Sequence, residues 1–273
     1  MNEFIVNNEI FIRLIFFFGI FSTITIWEIL APKRTLILPK TLRWANNLGL
    51  VVFNSFVLRL ILPIAAVGMA TFASNKGWGI FNYYELPIML SVLISIIAMD
   101  FIIYLQHVMM HAVPLFWRLH RVHHADLDYD VTTGSRFHTI EIILSMLIKL
   151  AIIIILGAPV VAVIIFEVIL NAMAMFNHGN IGLPNKLDRL LRWFIVTPDM
   201  HRIHHSVEVD ETNSNFGFNL SCWDRWFGTY RNESRNSHIN IGIHNFTEPK
   251  QVMWITGMLI LPFKGKITDY SNS

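Results

Sequence analysis

Residues 140–176 read IEIILSMLIKLAIIIILGAPVVAVIIFEVILNAMAMF. The run is too long for one membrane helix, since about 20 residues cross a bilayer. Gly157-Ala158-Pro159 stands at its middle, and that is turn chemistry. The segment therefore reads as a helical hairpin with arms of roughly 17 residues, a length marginal for a full span. Two charges stand deep in the arms. Lys149 lies nine residues before Ala158 and Glu167 nine after it. An antiparallel hairpin puts the two at equal depth, and charge in hydrocarbon is costly, so they are expected to pair.

Outward from the hairpin the chain stays apolar. Hydrophobic residues make up 54% of its 273 residues and charged residues 15%, against about 25% charged in soluble domains. The mean hydropathy is +0.50. A disordered chain, a coiled coil and an ordinary water-soluble enzyme are excluded. Three more apolar runs precede the hairpin: Leu14 to Leu30, Leu48 to Ala73 and Leu86 to Leu105. The first lacks the basic start and small-residue cleavage site of a signal peptide. The fold class is an all-α polytopic membrane bundle of about four or five membrane helices, the hairpin included. Between the first two runs lie Lys33, Arg34, Lys40 and Arg43, and basic loops stay on the cytoplasmic side. Counting spans from there places 106–139 and 177–250 on that side too, as a histidine-rich cap. Gln251 to Pro262 is too short to span and is expected at the interface or packed on the bundle.

The cap holds the second anomaly. All 12 histidines fall between His107 and His244. His107 and His111 form H-x-x-x-H. His120, His123 and His124 form H-x-x-H-H, and His201, His204 and His205 repeat it. Spacings of three and four share a helix face, so each cluster is expected to aim its rings at one point. Imidazole suits iron, zinc and copper. Pro114 opens the helix of the first box, and Thr197-Pro198-Asp199 reads as N-cap, N1 and N2 before the second. His178 follows the hairpin directly and is expected on the same face as a further ligand. His138 stands between ligand and ligand support. His238 and His244 read as surface residues. Asp100 and Tyr104 share a face with His107 and His111, and Asp100 is expected to accept an N–H from a ligating imidazole. Asn180 is placed in the same supporting role.

Eight strong candidates are too many for one ion and fit two, each with four or five nitrogens. No H-E-x-x-H occurs, which removes the usual zinc protease helix. No Glu-x-x-His occurs, which removes the carboxylate-bridged di-iron bundle. One cysteine, Cys222, supports neither a disulfide scaffold nor an iron–sulfur cluster. An all-nitrogen two-metal site at a membrane surface serves O₂ activation against a lipid C–H bond. A net charge of +2 gives no reason to expect nucleic acid. The alternatives are a membrane metal-binding hydrolase and a transporter with a zinc site. A transporter would place polar residues at matched depth in several spans, whereas these histidines lie outside them.

The boxes resemble the sterol desaturase / fatty acid hydroxylase superfamily of membrane di-iron enzymes over about residues 95–231. The similarity rests on Asp100-x-x-x-Tyr104-x-x-His107-x-x-x-His111, then Trp117-x-x-His120-x-x-His123-His124. It continues in Thr197-Pro198-Asp199-Met200-His201-Arg202-x-His204-His205, Asn215-x-Gly217 and Trp223 to Tyr230. The resemblance implies two iron ions, O₂ as co-substrate, and hydroxylation or desaturation of a lipid in lipid biosynthesis. It implies that His107, His111, His120, His123, His124, His201, His204 and His205 are ligands, with His178 as the extra histidine between the boxes. Some members have two histidines there, but Gly182 stands four residues after His178. One ion is thus expected to be a ligand short, or to recruit His138 or a water. The chain is divided at this level into membrane helices 1–94, a catalytic unit 95–231 and a tail 232–273. It shows no haem- or flavin-binding motif and has no room for a fused electron-transfer domain, so an external reductase or carrier is expected at the basic cap.

Overall fold

The computed structural model describes residues 4–5, 8–236 and 238–265. Their regular secondary structure is helical, with isolated bridges and no named strand among the described residues. The long helices are α1 (Glu9–Leu30), α2 (Lys40–Ile61), α3 (Ala66–Lys76), α4 (Ile88–Ala112), α5 (Pro114–His124), α6 (Thr139–Leu156) and α7 (Val160–Asn177). Shorter pieces follow: α8 (Asn185–Leu191), α9 (Pro198–His204), α10 (Cys222–Phe227) and α11 (Ile255–Ile260). Five segments are long and apolar enough to cross a membrane: α1, the 40–83 region, α4, α6 and α7. The protein is an integral membrane protein. Phe11, Phe18, Ile29, Phe56, Leu60 and Met89 are exposed, as expected of helices whose outer face meets lipid.

The hairpin forms as expected. Gly157 ends α6 in the left-handed conformation (φ 66°), its N–H bonded to Ile153 O and Ile154 O. Gly79 sits against it. A Cβ on Gly79 would lie 2.1 Å from Gly157 N, so the loop before α4 touches the hairpin tip backbone to backbone. Halfway along the arms, Lys149 Nζ lies 3.0 Å from Glu167 Oε1, the expected pair. A third member was not foreseen: Arg13 of α1 reaches Glu167 Oε2 at 3.2 Å.

The second apolar run is not one span, as expected, but two helices. Residues 62–65 interrupt it, with Leu62 at φ −120°, ψ 85°. Pro63 is the cause, because the residue before proline is driven out of the helical region. The chain then re-enters as α3, whose buried Ala66, Ala70 and Ala73 allow close helix approach. Its apolar side joins Met99, Ile103, Leu150, Ile153 and Phe166 in the largest buried cluster.

Polar clasps fix the cap to this bundle. Buried Arg43 of α2 bonds Asp126 (2.9 Å) and Asp130 (2.7 Å), and Trp44 Nε1 donates to Asp130 (3.0 Å). Glu28 of α1 accepts the Val131 and Asn180 amides at 2.7 and 2.8 Å. Asn180 also exchanges bonds with the Arg34 backbone. It supports this junction rather than an imidazole. The tail packs on the bundle: Val252, Met258 and Leu261 are buried against Leu50, Trp117 and Val122, while Arg121 donates to Leu261 O at 2.6 Å. Cys222 is half-buried.

Candidate metal centre

Nine histidines converge from α4, α5, α9 and the ends of α7 and α9. α5 starts at Pro114, and α9 starts at Pro198 behind the N-cap Thr197, as the sequence predicts, with the Thr197 hydroxyl accepting Met200 N–H (3.3 Å). The nitrogens form two groups. His107, His111, His120, His124 and His204 make one; His123, His178, His201 and His205 make the other. Within each, the nearest nitrogens all lie within 4.8 Å of one another. Neither H-x-x-H-H box aims at a single point. Each i, i+4 pair (His120/His124, His201/His205) serves one group, and the third ring of each box serves the other. The helix supplies the reason. The last two histidines of each box are consecutive, about 100° apart around a helix of 3.6 residues per turn, so they face different foci.

Four rings are oriented by bonds at Nδ1. His107 donates to Phe216 O (2.8 Å), His204 to Ser214 O (2.7 Å), His178 to Ala174 O (2.8 Å) and His120 to Glu141 Oε1 (2.6 Å). A carbonyl or carboxylate only accepts, so Nδ1 carries a proton, and a neutral ring held this way presents Nε2 as a bare lone pair. Their Nε2 atoms turn toward other imidazole nitrogens. His107 and His120 Nε2 are 3.1 Å apart. His178 Nε2 lies 3.1, 3.1 and 3.2 Å from Nε2 of His123, His201 and His205. Buried His204 Nε2 and both nitrogens of His124 have no hydrogen-bond partner. Facing lone pairs repel; a cation among them turns repulsion into coordination. The residues present fit a pair of metal ions.

Electrostatics agree. Burial pushes the His178 and His204 imidazoles down to about 3. Burial, then neighbouring imidazoles, hold His123, His124, His201 and His205 well below the usual range. At neutral pH these rings are uncharged, the form that binds metal.

The expected supporting residues do other work. Asp100 takes no imidazole N–H; it accepts Trp223 Nε1–H (2.7 Å) and Leu220 N–H (3.3 Å). Tyr104 bonds Thr229 Oγ1 (3.0 Å). His138 is in neither group. Its Nδ1 caps α6 by accepting Ile140 N–H (3.2 Å), and its Nε2 faces Leu259 O (3.2 Å). The group expected to be a ligand short holds four imidazoles without it. His238 and His244 are exposed, as expected.

Sequence reading missed the residues that orient the rings. Glu141 is one; its signal was an acid opening an otherwise apolar helix. Asp224 is another. It accepts the Phe216 and Gly217 amides (2.7 and 2.8 Å) and the Thr229 hydroxyl (2.7 Å), which sets the loop whose Phe216 carbonyl holds His107. Burial raises the Asp224 carboxyl to about 6. Asn215, at φ 53°, bonds Met200 O and Arg231 O (both 3.0 Å) and turns the same loop.

Against known proteins, the family model described as fatty acid hydroxylase matches residues 92–229, half of the chain. The ornithine lipid hydroxylase of Rhizobium tropici is 30% identical over 158 residues, 58% of this chain and 46% of that protein. The alkylglycerol monooxygenase of Xenopus tropicalis is 28% identical over 204 residues, 71% of this chain and 45% of that protein. The human alkylglycerol monooxygenase is 26% identical over 168 residues, 59% and 35% respectively. The chain spans less than half the length of each of these relatives. No solved structure matches it.

Proposed function

Because this chain belongs to the fatty acid hydroxylase family, we propose that it is a membrane oxygenase that uses O₂ to oxidise a C–H bond of a lipid. Hydroxylation is the first reading, since the relatives named above are a lipid hydroxylase and monooxygenases. Desaturation shares the initial hydrogen removal. The observation that carries the reading is the double imidazole focus beside an apolar cavity. His107, His111, His120, His124 and His204 would hold one iron ion, and His123, His178, His201 and His205 the other. When bound, the irons supply O₂ activation: one oxygen atom enters the C–H bond as hydroxyl, the other leaves as water, and a donor provides two electrons and two protons.

The chain's own residues supply the rest. Glu141 and the carbonyls of Phe216, Ser214 and Ala174 fix four imidazoles with Nε2 inward. Phe137 stacks on His123 at 4.5 Å and helps exclude water from that ring. Ile103, Met110, Ile142, Met146 and Leu170 give the cavity an apolar wall for a lipid tail. The catalytic unit is placed at 95–231, with membrane helices 1–94 before it and a tail 232–273 after it. The histidine boxes are assigned to the cytoplasmic side, from the basic loop after α1. Electrons are expected from a separate reductase or small acidic carrier docking on the basic cap.

The test combines metal and lipid analysis. Purified protein should carry iron. Cells with the wild-type gene should show a lipid gaining one oxygen or losing two hydrogens, and cells with His123→Ala should not. Product formed without O₂ would refute the oxygenase, and activity tracking tightly bound zinc would favour the hydrolase.

A further inference from the structure

A cavity of about 320 Å³ touches His107, His120, His123 and His201. It runs along the hairpin. Its lining residues on α6 are Glu141, Ile142, Ser145, Met146 and Lys149, and on α7 Met175, Ala174, Asn171, Leu170 and Glu167. Each set is one stripe of a helix face. Glu141 and Ala174 bond ring nitrogens of His120 and His178, so they mark the histidine end. Lys149 and Glu167 lie eight and seven residues further along, roughly 10–12 Å at 1.5 Å per residue. Arg13 joins them as the third wall residue at that depth.

We propose that the Arg13–Glu167–Lys149 cluster is the floor of the lipid cavity and sets which carbon of an acyl chain lies against the histidines. The inference rests on the oxygenase reading above. Both carboxylate oxygens of Glu167 are occupied, one by Lys149 and one by Arg13, and the Glu167 and Lys149 side chains are only 5% and 11% exposed. A hydrocarbon tail offers nothing to replace those bonds. Driving a methyl group between the charges would separate them in a low-dielectric site. The polar end of the lipid stays at the hydrated cap, so the tail enters methyl end first and stops at the cluster. The fixed length is then the one between cluster and histidines, and the reacting carbon is counted from the methyl end.

The wild-type chain alone tests this. Cells expressing it are fed saturated fatty acids of increasing length, and the added oxygen is located by tandem mass spectrometry. A position constant from the methyl end is expected. A position constant from the polar end, or a requirement for a second polar group on the tail, overturns the floor. The triple variant Arg13→Ala/Lys149→Ala/Glu167→Ala removes all three floor side chains and should deepen the cavity and move the oxygen farther from the methyl end. Leu170→Phe should raise the floor and move it nearer. Unmoved positions in both variants overturn the assignment. If the wild type yields no oxidised lipid, the oxygenase reading has failed, and a binding measurement decides the floor separately. Thermal unfolding of detergent-purified protein with n-alkanols from decanol to octadecanol should show stabilisation that grows with length and then levels off. Growth with no plateau would overturn the proposal.

Discussion

The two imidazole groups share α5 and α9 yet are built differently. The five-membered group takes an i, i+4 pair from α4 and another from α5, and adds His204. Its rings are held by a carboxylate, Glu141, and by two carbonyls of the 214–216 loop. The four-membered group takes one pair around α9, one ring from α5 and one from the end of the hairpin. Among the described residues its orienting hydrogen bond is the one from His178 Nδ1 to the Ala174 carbonyl. The first group has a spare ring and several anchors. The second has neither, so His178, whose Nε2 lies within 3.2 Å of three partners, is its keystone.

That difference predicts unequal sensitivity. The largest effect is expected from His201→Ala, which leaves three imidazoles in the smaller group. It should roughly halve bound metal and bring activity to background, while His111→Ala, leaving four, should retain more metal; equal losses by elemental analysis would erase the distinction. Gly134→Ala comes next. A Cβ there would lie 2.4 Å from Ala174 O and 3.0 Å from His178 Nδ1. We expect a destabilisation of about 1–3 kcal/mol with metal loss confined to the smaller group, read by thermal unfolding and metal content. In the larger group, Glu141→Gln weakens the carboxylate–histidine bond and should cost roughly 10–100-fold in metal affinity or activity, measured by competition with a chelator.

Acid should act on both groups. The folded His178 and His204 imidazoles are held near 3, whereas unfolded histidine titrates near 6.5. Below about 6.5 the unfolded state therefore binds more protons, and stability falls as pH drops toward 3. Metal-free protein should show a steadily lower Tm across that window, and a flat profile would contradict the buried neutral rings. The smallest effect is expected for His138→Ala, which removes a helix cap and the contact with Leu259 O. It should cost about 0.5–2 kcal/mol and leave metal content unchanged; lost metal would return His138 to the ligand set.

Much of the fold was legible in the chain. The Gly157-Ala158-Pro159 turn, the matched charges of Lys149 and Glu167, and the Pro114 and Thr197 helix starts all form as read. They are local features or follow from symmetry about a turn. The Pro63 break was missed because hydropathy stays high across it. Arg13 at Glu167, Glu141 at His120 and Asp224 under the 216–217 amides were missed for one reason: each joins segments whose approach no periodicity encodes.

The sequence by itself determined a lipid-dissolved helical bundle and a set of imidazoles at helical spacing, because hydrophobicity and i, i+4 geometry act within one segment. Only the tertiary structure decided that each H-x-x-H-H box divides between two foci, that Asp100 supports Trp223 rather than a histidine, and that His138 caps a helix. Those outcomes depend on which faces of separate helices meet, and the packing of the whole chain sets that.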